Sequence, residues 1–416
     1  MILQGDCLEK MKELESNSVD AIVTDPPYGL SFMGKHWDYD VPSVEIWKEA
    51  LRVLKPGGYL LSFAGTRTQH RMAVNIEDAG FEIRDMIAWV YGSGFPKSLN
   101  IGKAVDKLQG NEREDLGLHP QPGTAGKTHT RDGGAFKDDI HITKGTSEWE
   151  GWGTALKPAL EPITVARKPL SENTVAENVL KWGTGGINID GSRVSGEMGA
   201  DRALGKPRID TDKYGKANPK LNPQSPLGRF PANFIHDGSD EVVGLFPNSN
   251  SAKVRGVPFQ KEGGTGSSFV MAGQKSSPQD YGDKGSASRF FYCAKASKSE
   301  RNRGCEELEE KQTVGGGGGI GDYLDDVNSA SGKYGSEKAP SKNNHPTVKP
   351  IALMEYLVKL VSKPDAIVLD PFAGSGSTLV ACKNLGRKYI GIEREAEYIK
   401  IIEKRLEGLT QNSLGI

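Results

Sequence analysis

The period of the hydrophobic positions changes along the chain, and the changes mark out elements. Val19-Asp20-Ala21-Ile22-Val23-Thr24 is a short apolar run halted by Pro26-Pro27, which reads as a buried strand. Over residues 44–54, Val44, Trp47, Ala50, Leu51 and Leu54 recur at helical spacing. Lys55-Pro56-Gly57-Gly58 ends that helix and leads into a strand, Tyr59-Leu60-Leu61-Ser62-Phe63. Thr66 is the expected N-cap of a helix running to Gly80, and residues 81–91 are strand-like again. Near the C-terminus the same style returns: helix over 350–361, strand over 365–370, a glycine turn, helix over 378–385, strand over 388–392 and an amphipathic helix over 395–409. Strand alternating with helix predicts an α/β fold with a mostly parallel, Rossmann-like sheet.

Between these ends the pattern fades. Residues 92–345 are rich in Gly, Pro, Ser, Asn and Lys, and Gly315–Gly319 is an unbroken glycine run that reads as a flexible loop. Two stretches stand out as ordered and apolar: Leu160-Glu161-Pro162-Ile163-Thr164-Val165-Ala166 and Arg289-Phe290-Phe291-Tyr292-Cys293-Ala294. A structureless stretch of this length is out of place in a compact domain. The expected organisation is therefore one α/β domain split into 1–92 and 345–416, with a loop-rich insertion over 93–344. Strands near 155–170 and 287–303 are expected to belong to the split domain or to abut it.

Composition narrows the setting. The chain has 416 residues and a mean hydropathy of −0.50, and no apolar run of about 18 residues exists, so no transmembrane helix is expected. The start, Met1 to Asp6, has no basic region followed by an apolar stretch, so no signal peptide is expected. Cys7, Cys293, Cys305 and Cys382 form no C-x-x-C pair, which argues against a zinc site or disulfide framework and for a reducing, cytoplasmic location. Glycine is in excess, 52 of 416 residues, against a usual ~7%. The net charge of −1 conceals a basic region: from Arg193 to Arg303 there are 18 Lys+Arg against 11 Asp+Glu, an excess of +7. Basic residues interleaved with Gly, Ser and Asn suit nucleic-acid phosphates, or equally a solvated surface.

Two turns carry candidate chemistry. Asp370-Pro371-Phe372-Ala373-Gly374-Ser375-Gly376-Ser377-Thr378 lies between a strand and a helix, and its spaced glycines let backbone approach a ligand. A P-loop would need Lys after Gly376, where Ser377 stands; a dinucleotide fingerprint would need glycine at Leu379. A carboxylate at Asp370 disfavours a pyrophosphate but suits an ammonium group. S-adenosylmethionine offers an ammonium, a sulfonium, a ribose and an adenine without phosphate. Glu393, after the next strand, stands about where an acidic residue takes ribose hydroxyls. The second turn, Asp25-Pro26-Pro27-Tyr28, is rigid and acceptor-rich. The Asp25 carboxylate and the Pro26 carbonyl can accept both hydrogens of an –NH2 group, which turns a conjugated amine lone pair outward, and Tyr28 offers a ring on which a base can stack. Each turn also reads as a plain strand end, with Tyr28 in the core.

Taken with Ile2-Leu3-Gln4-Gly5-Asp6-Cys7, His345-Pro346-Thr347-Val348-Lys349-Pro350 and Gly391-Ile392-Glu393, these turns give the chain its resemblance. It resembles the amino-methylating DNA methyltransferases, which modify adenine N6 or cytosine N4, in the permuted order with Asp-Pro-Pro-Tyr before Phe-x-Gly-x-Gly. Ala294 to Arg301 also looks like the segment leading into the His-Pro-Thr motif. The motifs cover roughly 160 residues of the two terminal pieces. The resemblance implies a seven-stranded sheet of the S-adenosylmethionine-dependent methyltransferase type and a target-recognition region in the insertion. It implies a base pocket at Asp25, Pro26, Pro27 and Tyr28. The cofactor would meet Asp370, Pro371, Phe372, Gly374, Gly376 and Ser377, with Glu393 on the ribose, Asp6 near the adenine amine, and Thr347 and Lys349 near the methionine end. No metal is implied. The implied partner is double-stranded DNA, with a homodimer and a cognate restriction enzyme left open. Asp as first residue of the Asp25–Tyr28 motif leans toward adenine N6; cytosine N4, and a DNA- or cofactor-binding protein without activity, are the alternatives.

Overall fold

The computed structural model describes residues 1–30, 40–94, 98–118, 141–194, 210–211, 217–218, 228–250, 284–294, 300–310 and 342–413. These fall into two compact units, Met1–Ser93 with Ala159–Ile416, and Gly94–Pro158. Gly315–Gly319, part of the segment before the His-Pro-Thr motif, and most of the basic residues counted above lie outside the described residues.

The larger unit is built on one sheet with nine described strands: β1 (Ile2–Gln4), β2 (Val19–Thr24), β3 (Leu54–Phe63), β4 (Glu82–Val90), β5 (Leu160–Arg167), β6 (Phe234–His236), β7 (Tyr292–Cys293), β8 (Ile367–Asp370) and β9 (Lys388–Glu393). Their spatial order is β1-β9-β8-β2-β3-β5-β4-β6-β7. All neighbours are parallel except β5, which runs antiparallel to both β3 and β4. The mostly parallel α/β sheet is as expected. Its strand number is not seven, because the short β6 and β7 add in parallel beyond β4 and satisfy backbone groups that an edge would expose.

The two ends of the chain close this sheet. Leu369 of β8 pairs with Ile22 of β2, and Ile2 of β1 with Gly391 of β9. Every residue of β2 is buried, as a parallel strand covered on both faces requires. Its side chains alternate between two cores. Ala21 and Val23 pack with Leu353, Leu357 and Val361 of the helix Ile351–Val361, whereas Ile22 packs with Trp47 and Ala50 of Val44–Val53 and with Met72 and Ile76 of Gln69–Asp78.

Most boundaries shift by a residue or two, and two differences have clear causes. The helix Gln69–Asp78 has Thr68, not Thr66, at its N-cap, because a turn closes first, with Thr68 N and Gln69 N donating to Gly65 O at 3.1 and 2.8 Å. β3 begins at Leu54 rather than Tyr59: Lys55-Pro56-Gly57-Gly58 stays in the sheet as a bulge opposite β2, with Gly57 at φ 78° bonded to Lys168 O. In the smaller unit, the helix Ile101–Gln109 accompanies an antiparallel pair, Glu114–Leu118 with His141–Lys144. Buried Asp106 binds Arg113, whose guanidinium also grips Glu150 through two 2.9 Å bonds.

Trp47 is fully buried, and its ring meets Phe372 of the glycine turn edge-on at 6.4 Å, so this core residue also supports the turn. Trp47→Ala should cost about 3–5 kcal/mol and Trp47→Phe less than about 1.5 kcal/mol in urea unfolding, since the indole N–H has no partner among the described residues.

Candidate active site

The glycine turn is held from three sides. Gly374 N donates to Glu393 Oε2 at 2.8 Å, Ala373 N to Ile392 O at 2.9 Å, and Gly5 N to Glu393 O at 3.0 Å, so β1, β9 and the turn after β8 are tied together. Glu393 Oε1 accepts from Glu395 N at 2.8 Å, and burial pushes the Glu393 carboxyl above its ordinary pKa. Beneath the turn, the buried Arg405 guanidinium donates to Ser375 O (2.7 Å), Ser375 Oγ (3.1 Å) and Ser377 Oγ (3.3 Å). Gly374 (φ 53°) and Gly376 (φ 79°) both lie in the left-handed region. A Cβ on Gly374 would come within 2.8 Å of His345 Nε2.

That contact brings the His-Pro-Thr segment against the turn. His345 is buried edge-on against Tyr398 at 4.5 Å, its Nδ1 faces Thr347 O, and its backbone carbonyl accepts from Arg301. Burial lowers the His345 pKa to about 4, so the ring is neutral at physiological pH and plays a structural part. Thr347 itself is exposed. Asp6 is exposed as well and caps the helix Cys7–Lys12, accepting from Leu8 N and Glu9 N at 2.9 and 3.4 Å.

Parallel pairing of β2 with β8 sets the two turns side by side at the carboxyl ends of their strands, where open α/β sheets bind ligands. Thr24 Oγ1, just before Asp25, donates to Asp370 Oδ1 at 2.6 Å, and Phe372 N donates to the same oxygen at 3.1 Å. Burial raises the Asp370 pKa to about 6 against these hydrogen bonds, and the Asp25 charge adds to the rise. Pro26 and Pro371 are buried and hold both turns rigid.

Asp25 and Tyr28 lie in a polar cluster that includes Lys349. Tyr28 OH donates to Asp25 Oδ1 at 2.6 Å, and Lys349 Nζ donates to Asp25 Oδ2 at 2.8 Å and to Tyr28 OH at 3.1 Å. The ammonium also stands 4.9 Å from the centre of the Phe63 ring. The residue that sequence reasoning missed is Glu161: its Oε2 accepts from Tyr28 OH at 3.0 Å and pairs with Lys349 at 3.0 Å. Only topology could have found it. β5 runs against its neighbours, so its first residues meet the carboxyl ends of the parallel strands, with Glu161 opposite Trp89 near the end of β4. Burial works to strip the Lys349 proton, but Asp25 and Glu161 outweigh it and hold the ammonium above its ordinary pKa. Burial, then the same two carboxylates, keep the Tyr28 hydroxyl protonated. Among the described residues no His, Cys, Asp or Glu cluster could hold a metal, and no helix is long and apolar enough to cross a membrane.

The sequence model of a family described as DNA methylase matches residues 19–109 and 127–404. The chain belongs to the DNA methylase family. Over 86 residues it is 46% identical to the type II methyltransferase M2.LlaDCHI of Lactococcus lactis subsp. cremoris, covering 21% of this chain and 31% of that protein. Over 82 residues it is 45% identical to the type II methyltransferase M.HinfI of Haemophilus influenzae, covering 20% of this chain and 23% of that one. The matched part thus spans a third or less of these two methylases. At 22% identity it aligns with 96% of M.HindIII, also of Haemophilus influenzae, over 99% of this chain. Among solved structures, it is similar to M1.HpyAVI with SAM (18% identity, TM-score 0.38, 98% of each chain). The PvuII cytosine-N4-specific DNA methyltransferase is another (12% identity, TM-score 0.42, 97% of this chain and 85% of that one).

For this methylase-family fold, Gly374→Ala places a methyl group in a left-handed conformation and against His345. The change should cost about 1–3 kcal/mol in urea unfolding. It should also displace the His345 ring, read as a shifted imidazole resonance.

Proposed function

We propose that this protein transfers a methyl group from S-adenosylmethionine to the exocyclic amine of a flipped-out DNA base, adenine N6. One observation carries the reading: Thr24 bonds Asp370, so the acceptor-rich Asp25 turn and the glycine turn share one edge of the sheet. Gly374 and Gly376 give the turn its left-handed backbone, and the Asp370 carboxylate and the Glu393 carboxylate beside it suit a cation and ribose hydroxyls, so the residues present fit the cofactor. Asp370, Pro371, Phe372, Gly374, Gly376 and Ser377 would hold it, with Glu393 on its ribose and Asp6 near its adenine. Thr347 and Lys349 would lie near its methionine end, the Lys349 ammonium standing 2.8 Å from Asp25 Oδ2. When bound, S-adenosylmethionine supplies a methyl group already activated on a sulfonium.

The chain's own residues supply the rest. An amine paired in a duplex is out of reach, so the base is flipped out at a cost of a few kcal/mol. Stacking on Tyr28, worth about 1–3 kcal/mol, offsets part of that. Asp25 and the Pro26 carbonyl accept the amine hydrogens, drawing the nitrogen toward tetrahedral geometry and aiming its lone pair at the methyl group; as the N–C bond forms the C–S bond would break to leave a neutral thioether, and the surplus amine proton would pass by way of Asp25 to water. The insertion over 93–344 would read the target sequence, and its span from Arg193 to Arg303, with an excess of +7, suits phosphates. Adenine is favoured over cytosine N4 because Asp25 opens the Asp-Pro-Pro-Tyr motif. The type II relatives suggest a partner restriction enzyme.

The test is direct. Plasmid from a methylation-free host is incubated with protein and S-adenosylmethionine, digested to nucleosides and analysed by mass. N6-methyldeoxyadenosine is expected; N4-methyldeoxycytidine would give the cytosine reading, and no methylated nucleoside would refute both. Asp25→Ala should lower transfer at least a hundredfold with cofactor affinity changed only a few-fold; full transfer would refute the assigned role of Asp25.

A pH prediction follows from Asp370. A carboxylate must be ionised to hold an ammonium, and this one binds its proton up to about pH 6. As pH falls through about 6, kcat/KM for S-adenosylmethionine should drop toward tenfold per unit, because that ratio follows the free enzyme. Asp370→Asn should lower affinity and flatten the profile.

A further inference from the structure

Asp25 reaches the resting state already engaged. Its Oδ1 accepts from the Tyr28 hydroxyl at 2.6 Å and its Oδ2 from the Lys349 ammonium at 2.8 Å. Each Asp25 oxygen can still accept a second hydrogen bond, but an amine hydrogen then shares that oxygen with a hydroxyl or an ammonium, so Asp25 accepts more strongly once a donor lets go. Both donors already have a second acceptor. Glu161 Oε2 lies 3.0 Å from the Tyr28 oxygen and 3.0 Å from Lys349 Nζ. Two carboxylates, on β2's trailing turn and on β5, therefore share the same two donors.

Building on the methyl-transfer reading above, we propose that Glu161 is a positioning residue that takes over the Lys349 ammonium and the Tyr28 hydroxyl, freeing Asp25 for the target amine. The transfer needs no rebuilding of the pocket, since each donor stays within hydrogen-bond reach of Glu161 as it leaves Asp25. Charge favours the same arrangement. Methyl transfer moves positive charge from the sulfonium to the amine nitrogen, which a neighbouring free ammonium would oppose. With Glu161 ionised, the group of Asp25, Glu161 and Lys349 carries net negative charge and supports that nitrogen. Without it, Asp25 would be the only carboxylate on Lys349, and the ammonium would neutralise the charged acceptor that the reaction uses. The hydroxyl of Tyr28 is kept protonated throughout, so it can donate to whichever carboxylate is unoccupied.

The role requires a negative charge at position 161 rather than the shape of its side chain, and this separates it from a packing role. Glutamine keeps the shape of Glu161 and loses the charge; aspartate keeps the charge and shortens the reach. The experiment measures methyl transfer from tritiated S-adenosylmethionine to plasmid from a methylation-free host, for wild type, Glu161→Gln and Glu161→Asp, with cofactor Kd and Tm for each. The expected order of kcat is wild type, then Glu161→Asp within about tenfold, then Glu161→Gln about a hundredfold or more below wild type. Cofactor Kd and the KM for DNA should stay within threefold. Glu161→Gln within threefold of wild type in kcat, or Glu161→Asp slower than Glu161→Gln, overturns the proposal, and a glutamine variant that does not fold leaves Glu161→Asp to decide by its own tenfold bound. Wild-type protein that transfers no methyl group would instead overturn the methyl-transfer reading, so the two failures are distinct.

Discussion

The pairing of β2 with β8 is the constraint on which the rest of the structure depends. It joins a strand near the start of the chain to one near its end, and its closing hydrogen bond, Thr24 to Asp370, links residues 346 positions apart. Closing so long a loop carries an entropic cost that grows only logarithmically with length, so a long insertion is tolerable provided the contact itself is strong. Here the contact is a fully buried parallel strand covered by helices on both faces. Parallel direction then puts both strand-ending turns at one edge. Antiparallel pairing would have sent Asp25 and Asp370 to opposite edges of the sheet.

From that edge outward, electrostatics organise the pocket. Lys349 is almost wholly removed from water, which is costly for an ammonium unless its donors are met. Two carboxylates and a hydroxyl oxygen meet them. Such an arrangement adds little to stability compared with well-packed apolar side chains, but it fixes orientation, because each partner defines where the others point. The Phe63 and Tyr28 rings beside the ammonium add a weaker attraction while keeping water out.

Much of this was legible in the sequence, for physical reasons. A short, largely apolar run such as residues 19–24, halted by two prolines, reads as a buried strand, and the prolines and glycines of the two turns announce rigid or left-handed backbone whatever lies around them. Local chemistry of this kind survives in a one-dimensional reading. What did not survive was anything set by pairing partners. The bulge that keeps Lys55 to Gly58 in the sheet depends on β2 and on Lys168, so local turn residues misled. Glu161 gave no signal because a glutamate at the head of an apolar strand reads as an exposed end; only the reversed direction of β5 converts that end into a wall of the site. Likewise, Arg405 and His345 support the glycine turn from helices and loops far away in sequence.

Environment also separates the two aspartates that the fold brings together. Asp370 is sealed beneath its turn, with the hydroxyls of Thr24 and Thr378 and the Phe372 amide as partners, and desolvation moves its titration to about pH 6. Asp25 is partly exposed and has an ammonium on one oxygen. Neighbouring carboxylates of identical chemistry thereby differ in character: one is desolvated and titrates high, the other is paired with an ammonium. Glu161 gives the ammonium a second carboxylate, so under the proposed exchange the cluster that orders Asp25 would not have to be dismantled for its oxygens to be used.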